Sequence, residues 1–131
     1  MGNTQEQNLA VVRRYCDAWQ RGDVAAIVAC YHDDLVLHWF GASPLAGEHR
    51  GKAAAVQALA RVQTLTNRRL VAIRDVLASD DHAVVLTRER MERDGRVLEC
   101  DRVLVFTIRD DRLAECWLYD EDQRAVDEMW R

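Results

Sequence analysis

Apolar side chains recur at helical spacing in the first half of the chain and at alternating positions in the second. Leu9, Val12, Cys16 and Trp19 lie three or four residues apart, one stripe of an amphipathic helix. Thr4 followed by Gln7 is a capping-box pair that starts this helix, and Gly22 sits where a left-handed C-terminal cap belongs. Asp23 then caps a short second helix through Val24-Ala25-Ala26-Ile27-Val28. Asp33-Asp34 breaks the pattern, and Leu35 to Phe40 read as a first strand. The segment Gly41 to Gly51 holds three glycines and the chain's only proline, Pro44, and predicts a loop. Lys52 to Thr66 is alanine-rich, with Val56, Leu59, Ala60 and Val62 on one side, and predicts a third helix.

From Arg68 onward the period becomes two. Leu70–Leu77, Ala83–Glu92, Val97–Ile108 and Leu113–Tyr119 predict four strands, separated by Ser79-Asp80-Asp81, Asp94-Gly95 and Asp110-Asp111. Asp94-Gly95 is the strongest hairpin signal. Asp122 to Trp130 predicts a short terminal helix that packs back through Val126, Met129 and Trp130. Helices first and antiparallel strands later define an α+β class: a cone-shaped, curved, mainly antiparallel sheet packed against three N-terminal helices, with a short C-terminal helix. Such a cone has an apolar interior and a mouth, a natural ligand site.

Composition narrows the function. A chain of 131 residues is long enough to bury about 65–70% of its unfolded surface, so no metal or disulfide is needed for folding. The net charge of −4 excludes nucleic acid as a main partner, because phosphate binding needs a basic footprint. No signal segment and no bilayer-length apolar run is legible, so the chain reads as cytoplasmic and not bound to a membrane. Cys16, Cys30, Cys100 and Cys116 have no metal-ligand spacing and read as reduced, mostly buried thiols. His32, His49 and His82 adjoin turns, and no two histidines share a metal-ligand spacing on one helix, so no metal site is expected. The absence of a phosphate loop or a haem or flavin signature implies no cofactor.

The order helix, Arg21-Gly22-Asp23 turn, short helix, Tyr31-x-Asp33-Asp34, strand, glycine loop, helix and four strands resembles the nuclear transport factor 2-like superfamily. Within it, the chain is most similar to the SnoaL-like and ketosteroid-isomerase-like branch. Ser43-Pro44-Leu45-Ala46-Gly47 with Arg50-Gly51, and the ending Asp120-Glu121-Asp122-Gln123 to Met129-Trp130, resemble a group of actinobacterial members. The resemblance covers residues 1–131 as a single SnoaL-like domain. It implies a small-molecule enzyme doing cofactor-free acid–base chemistry (isomerisation, cyclisation, dehydration or epoxide opening) on a small apolar or aromatic molecule in the cone. The alternative is a non-catalytic binder of a small hydrophobic ligand, or a dimerising accessory domain. It also implies a homodimer through the outer sheet face.

Site residues follow partly from the residues and partly from the resemblance. Histidine titrates near neutrality, and His38 stands among bulky apolar side chains, which makes it the candidate base. The ketosteroid-isomerase base position falls on Trp39 when counted forward from Asp33-Asp34 and on His38 when counted back from Gly41. A one-residue slip exchanges the two faces of a strand, and the plain reading of His38 is a hydrogen-bonded side chain on the outer face. By the same resemblance Tyr15 matches an oxyanion donor, and Leu104 stands where those isomerases carry a protonated Asp. Asp120 matches the acid–base Asp of SnoaL-type cyclases; its plain reading is the cap of the terminal helix. Glu89, Arg102 and Asp120 match the set of epoxide-hydrolase members if all three face inward; otherwise Glu89 and Arg102 point to water or form a cross-strand ion pair. Trp19, Trp39, Leu59, Leu104, Phe106 and Leu118 complete the expected substrate-binding lining. A three-residue loop after Ile108 pairs Leu104 with Cys116 and Arg102 with Leu118. It places Arg102, Leu104, Phe106, Cys116, Leu118 and Asp120 on the cavity face, with Trp117 and Tyr119 outside. A two-residue loop exchanges the faces. The first register is preferred.

Overall fold

The computed structural model describes residues 2–131. Helix α1 (Gln5–Arg21) starts at Thr4, whose hydroxyl accepts from the Gln7 backbone while the Gln7 side chain reaches back to the Thr4 N–H. It ends at Gly22, where φ is 68° and a side chain would be strained. Asp23 caps α2 (Val24–Ala29). Strand β1 (Tyr31–Trp39) follows, then β2 (Gly47–Arg50) and α3 (Lys52–Thr66). The long strands β3 (Arg69–Ala78), β4 (Ala83–Arg93), β5 (Arg96–Arg109) and β6 (Arg112–Asp120) lead to α4 (Gln123–Glu128).

The six strands form one sheet in the order β2-β1-β6-β5-β4-β3. Every pairing is antiparallel except β1 with β6, which the chain joins by a long crossover through α3 and four intervening strands. The fold is therefore the expected α+β cone. Two boundaries differ from the sequence reading. Strand β1 begins at Tyr31 rather than Leu35: Asp33 and Asp34 bulge out within the strand, where the register against β6 shifts, and do not end it. The Gly41–Gly51 segment also holds β2, whose four residues pair with β1 and are mostly exposed. An exposed edge strand carries no alternating pattern from which to predict it.

The core lies between the helices and the inner sheet face. Val12, Leu35, Leu37, Val62, Val85, Phe106, Leu113 and Leu118 are all but fully buried there. Burying each such side chain contributes about 1.5–3 kcal/mol. Buried Asn8 ties α1 to the β3–β4 turn by donating to the carbonyls of Ser79 and Asp80, both at 3.0 Å. A second small cluster of Met91, Cys100, Val126 and Met129 seats α4 at the end of the sheet. Gly41, with φ 102°, lets α4 come close: a Cβ there would collide with Asp127 and Gln123.

The β5–β6 hairpin resolves the question of faces. Its turn is the two-residue one, Asp110-Asp111, both at positive φ. Ala114 forms a bulge between the Ile108–Leu113 and Thr107–Glu115 pairs. That one extra residue restores the parity that the short turn would have reversed. Arg102 consequently pairs with Asp120, Leu104 with Leu118 and Phe106 with Cys116. The inner set is the expected one, but the partners are displaced by two residues from the expected pairing.

Candidate functional site

A cavity of about 400 Å³ opens between α1, α2, α3 and the inner sheet face. Its walls are aliphatic and aromatic: Trp19 from α1, Ile27 from α2, Leu59 from α3, Leu37 from β1, Leu104 from β5 and Leu118 from β6. Polar groups reach it from Tyr15, Tyr31, Gln63, Thr64, Arg68 and Cys116. No carboxylate and no imidazole is among the lining residues.

Tyr15 and Tyr31 face each other with ring centres 5.9 Å apart, and Tyr15 also packs on Trp19 and edge-on against Phe106. Burial pushes the Tyr15 hydroxyl well above its ordinary value and the Tyr31 hydroxyl to about 12, so both phenols are protonated donors near neutrality. Burial also raises the Cys116 thiol to about 12, which leaves it inert as a nucleophile. All four cysteines are free and buried, as expected.

Beside the cavity runs a buried chain of charges. Arg68 donates from Nε to Glu89 Oε1, and Arg102 Nη1 donates to the same oxygen at 3.3 Å. Thr87 donates its hydroxyl to Glu89 Oε2 at 2.7 Å, and Arg102 Nε donates to Asp120 Oδ1 at 2.5 Å. Thr87 and Glu89 share a face of β4, and Arg102 and Asp120 are direct partners across β5 and β6. Burial would raise the Glu89 carboxyl, but the Arg68 and Arg102 guanidiniums outweigh it and hold it at about 2. Asp120 goes the other way: burial raises it, and Arg102 only partly offsets the rise. The indole of Trp39 lies over the Arg102 guanidinium at 5.4 Å and meets Trp130 edge-on.

These positions sort the sequence candidates. Tyr15, Trp19, Leu59, Leu104 and Leu118 line the cavity as expected. His38 does not. It lies on the outer face of β1, stacked on Trp117 with ring centres 4.9 Å apart, bonded to Glu115 at 2.6 Å and near Glu48. The register pairs His38 with Trp117 and Trp39 with Leu118, so the forward count from the aspartates gives the inward residue. That inward residue, Trp39, is buried over Arg102 rather than on the cavity wall, and Phe106 packs behind Tyr15. Glu89, Arg102 and Asp120 do meet on the inner face, but in the ion chain beside the cavity and not on its lining. Asp120 caps no helix; Asp122 caps α4.

A family model for the SnoaL-like domain matches residues 12–116, a span that holds most of the cavity lining and of the ion chain, with Leu118 and Asp120 just beyond it. The chain belongs to the SnoaL-like domain family. An uncharacterised protein of Mycobacterium tuberculosis is 29% identical over 129 residues, 97% of this chain and 98% of that one. The structure of Bal32a, from a soil-derived mobile gene cassette, superposes with a TM-score of 0.88 at 30% identity, covering 98% and 100% of the two chains. A nuclear transport factor 2-like protein of Burkholderia xenovorans shares the fold at a TM-score of 0.80 and 24% identity, covering 99% and 100%.

Sequence reasoning missed four polar contributors to the cavity of this SnoaL-like domain. Tyr31 lies in the Tyr31-x-Asp33-Asp34 motif, and its burial follows only once β1 is extended back to it. Arg68 lies in the two-residue link between α3 and β3, next to Leu70 of the lining, and a link residue carries no periodic signal. Gln63 and Thr64 carry no sequence signal beyond their place on the last turn of α3.

Proposed function

We propose that this SnoaL-like domain takes up a small, largely apolar molecule in the cavity beneath α1, α2 and α3. The Tyr15 hydroxyl orients the molecule by donating to one of its oxygens. The observation that carries this reading is the cavity lining: aromatic and aliphatic walls surround a few convergent donors, with no competing carboxylate. Protonated phenols in such a place also favour an oxygen on which negative charge develops. The test is a fluorescence titration with 2-acetylnaphthalene, a flat ketone. Saturable binding is expected. Tyr15→Phe should weaken it about 3- to 10-fold, the net value of one neutral hydrogen bond, and Leu59→Trp should abolish it by filling the space. His38→Ala, on the other face, should leave it unchanged. Undiminished binding to the L59W protein would place the ligand elsewhere and overturn the reading.

A second reading, an enzyme of the acid–base type, is favoured by one feature. Asp120 has a raised pKa and is held by Arg102 two residue pairs along the ladder from Leu104 and Leu118 of the cavity wall. Under it, Asp120→Asn lowers turnover of an epoxide or carbonyl substrate by about 10²–10⁴-fold while 2-acetylnaphthalene still binds. Full turnover by D120N would remove this reading.

We also propose that the partner of the outer sheet face is a second copy of the chain. Trp117 and His38 stack there, and Phe40 and Tyr119, 37% and 48% exposed, stack with ring centres 5.0 Å apart.

A further inference from the structure

We infer that the cavity selects organic monoanions, flat and largely apolar molecules bearing one carboxylate or acidic enol, and that the terminal guanidinium nitrogens of Arg68 receive the anionic oxygen. The inference rests on the cavity being the ligand site and adds the chemical class of the ligand.

Arg68 follows Asn67, the left-handed cap of α3, and precedes β3, so the chain turns there and delivers its side chain beneath the helices. The side chain is only 12% exposed and lines the cavity. Two contacts hold the guanidinium. Its face lies 5.4 Å over the Trp19 ring, and its Nε is committed to Glu89. Among the described residues no acceptor holds Nη1 or Nη2. Guanidinium nitrogens that are fixed in plane and unengaged suit a carboxylate or enolate, which accepts two parallel N–H bonds.

The charge balance points the same way. Among the described residues the only carboxylate that pairs with Arg68 is Glu89, and Glu89 also serves Arg102. Asp120 pairs with Arg102 alone. Glu89 outweighs the effect of burial and keeps Arg68 charged, so Arg68 is a fixed cation at the cavity end whose terminal nitrogens are left for a ligand. No carboxylate lines the cavity, and Glu89, off the lining, is already engaged by Arg68 and Arg102. Tyr15 and Tyr31 are close enough to feel the Arg68 charge, which opposes the effect of their burial. As protonated donors they supply further bonds to the same oxygens.

The test uses calorimetric titration with 2-naphthoate and its neutral counterpart 2-naphthamide. Wild-type protein should bind the carboxylate about tenfold or more tightly than the amide, the strength of a charge-assisted hydrogen bond. Arg68→Met alone leaves Glu89 short of a partner, so the double variant R68M/E89Q is the informative one. The amide introduced at position 89 still accepts from Arg102, and a cooperative melt checks the fold. In that variant the preference for the carboxylate should vanish, the two probes binding with affinities within about twofold of each other. Equal binding of the two probes by wild type, or a preference that survives in R68M/E89Q, overturns the role of Arg68 and leaves the cavity reading standing. Binding of neither probe overturns the cavity reading, and this inference with it.

Discussion

Glu89 carries two guanidiniums and a hydroxyl on a side chain that solvent does not reach. Its carboxyl is held near 2, below the ordinary glutamate value of about 4.3. A depressed folded-state pKa contributes stability that is complete above the unfolded value and is lost as pH falls toward the folded one. Acid unfolding should therefore steepen between about pH 4.3 and 2, with Glu89 contributing on the order of 3 kcal/mol. Glu89→Gln should flatten that limb of the stability–pH curve, measured by urea titration at stepped pH, and should lower stability at pH 7. Asp120 has the opposite sign. Its raised pKa means that its contribution is present below the ordinary aspartate value and is lost as pH rises through the raised one. A protein whose acid limb is unchanged by E89Q would show that the ion chain does not act as described. At this scale the neighbours His38 and Trp39 differ most: one residue along a strand separates an outer stack from the buried core.

Among the elements, the β5–β6 hairpin shows how one unpaired residue positions a site. The Asp110-Asp111 turn alone would aim Trp117 and Tyr119 at the helices and turn Leu118 and Asp120 to solvent. The Ala114 bulge reverses that, and it explains why Leu113 and Ala114 are adjacent and both buried. Deleting Ala114 should therefore abolish cooperative folding, read as loss of the thermal transition and of near-ultraviolet circular dichroism. The two alternatives left to the shortened chain are to bury the wrong face of β6 or to break its pairing with both β1 and β5. A deletion variant that melts cooperatively near the wild-type temperature would show that the bulge is dispensable. The helices needed no such correction. Thr4 with Gln7, Gly22, and Asp23 with the Ala26 N–H act as local punctuation, and the structure uses each where the sequence places it.

For the whole molecule, the sheet has two faces of different character. The inner face carries the core, the cavity and the ion chain. The outer face presents the Trp117–His38 and Phe40–Tyr119 stacks, with exposed apolar side chains at Val71, Leu77 and Val97. If a second copy covers that face, sedimentation should report a dimer, and Trp117→Glu should yield a folded monomer that still binds 2-acetylnaphthalene. A monomeric wild type at high micromolar concentration would end the dimer proposal. No helix among the described residues is long and apolar enough to cross a membrane.

The residues by themselves determined the order of the elements apart from β2, the helix limits of α1 and α3, and the SnoaL-like resemblance; the inner set preferred on β5 and β6 is the observed one, reached by a two-residue turn and a bulge in place of the three-residue turn. Caps, turn signals and hydrophobic period act over a few residues, so a linear reading detects them. Tertiary structure decided the facing of His38, the inclusion of Tyr31 in β1, the edge strand β2 and the convergence of Arg68 with two tyrosines. Each of these depends on register between segments far apart in the chain or on a bulge that shifts it. A bulge leaves no mark in composition, because it is an unpaired position relative to a partner strand. The charged residues illustrate the difference. A charged strand residue is ordinarily read as facing water, yet Glu89, Arg102 and Asp120 are buried because each supplies the other's missing charge and Arg68 adds one more. That compensation exists only where three strands and the end of a helix meet.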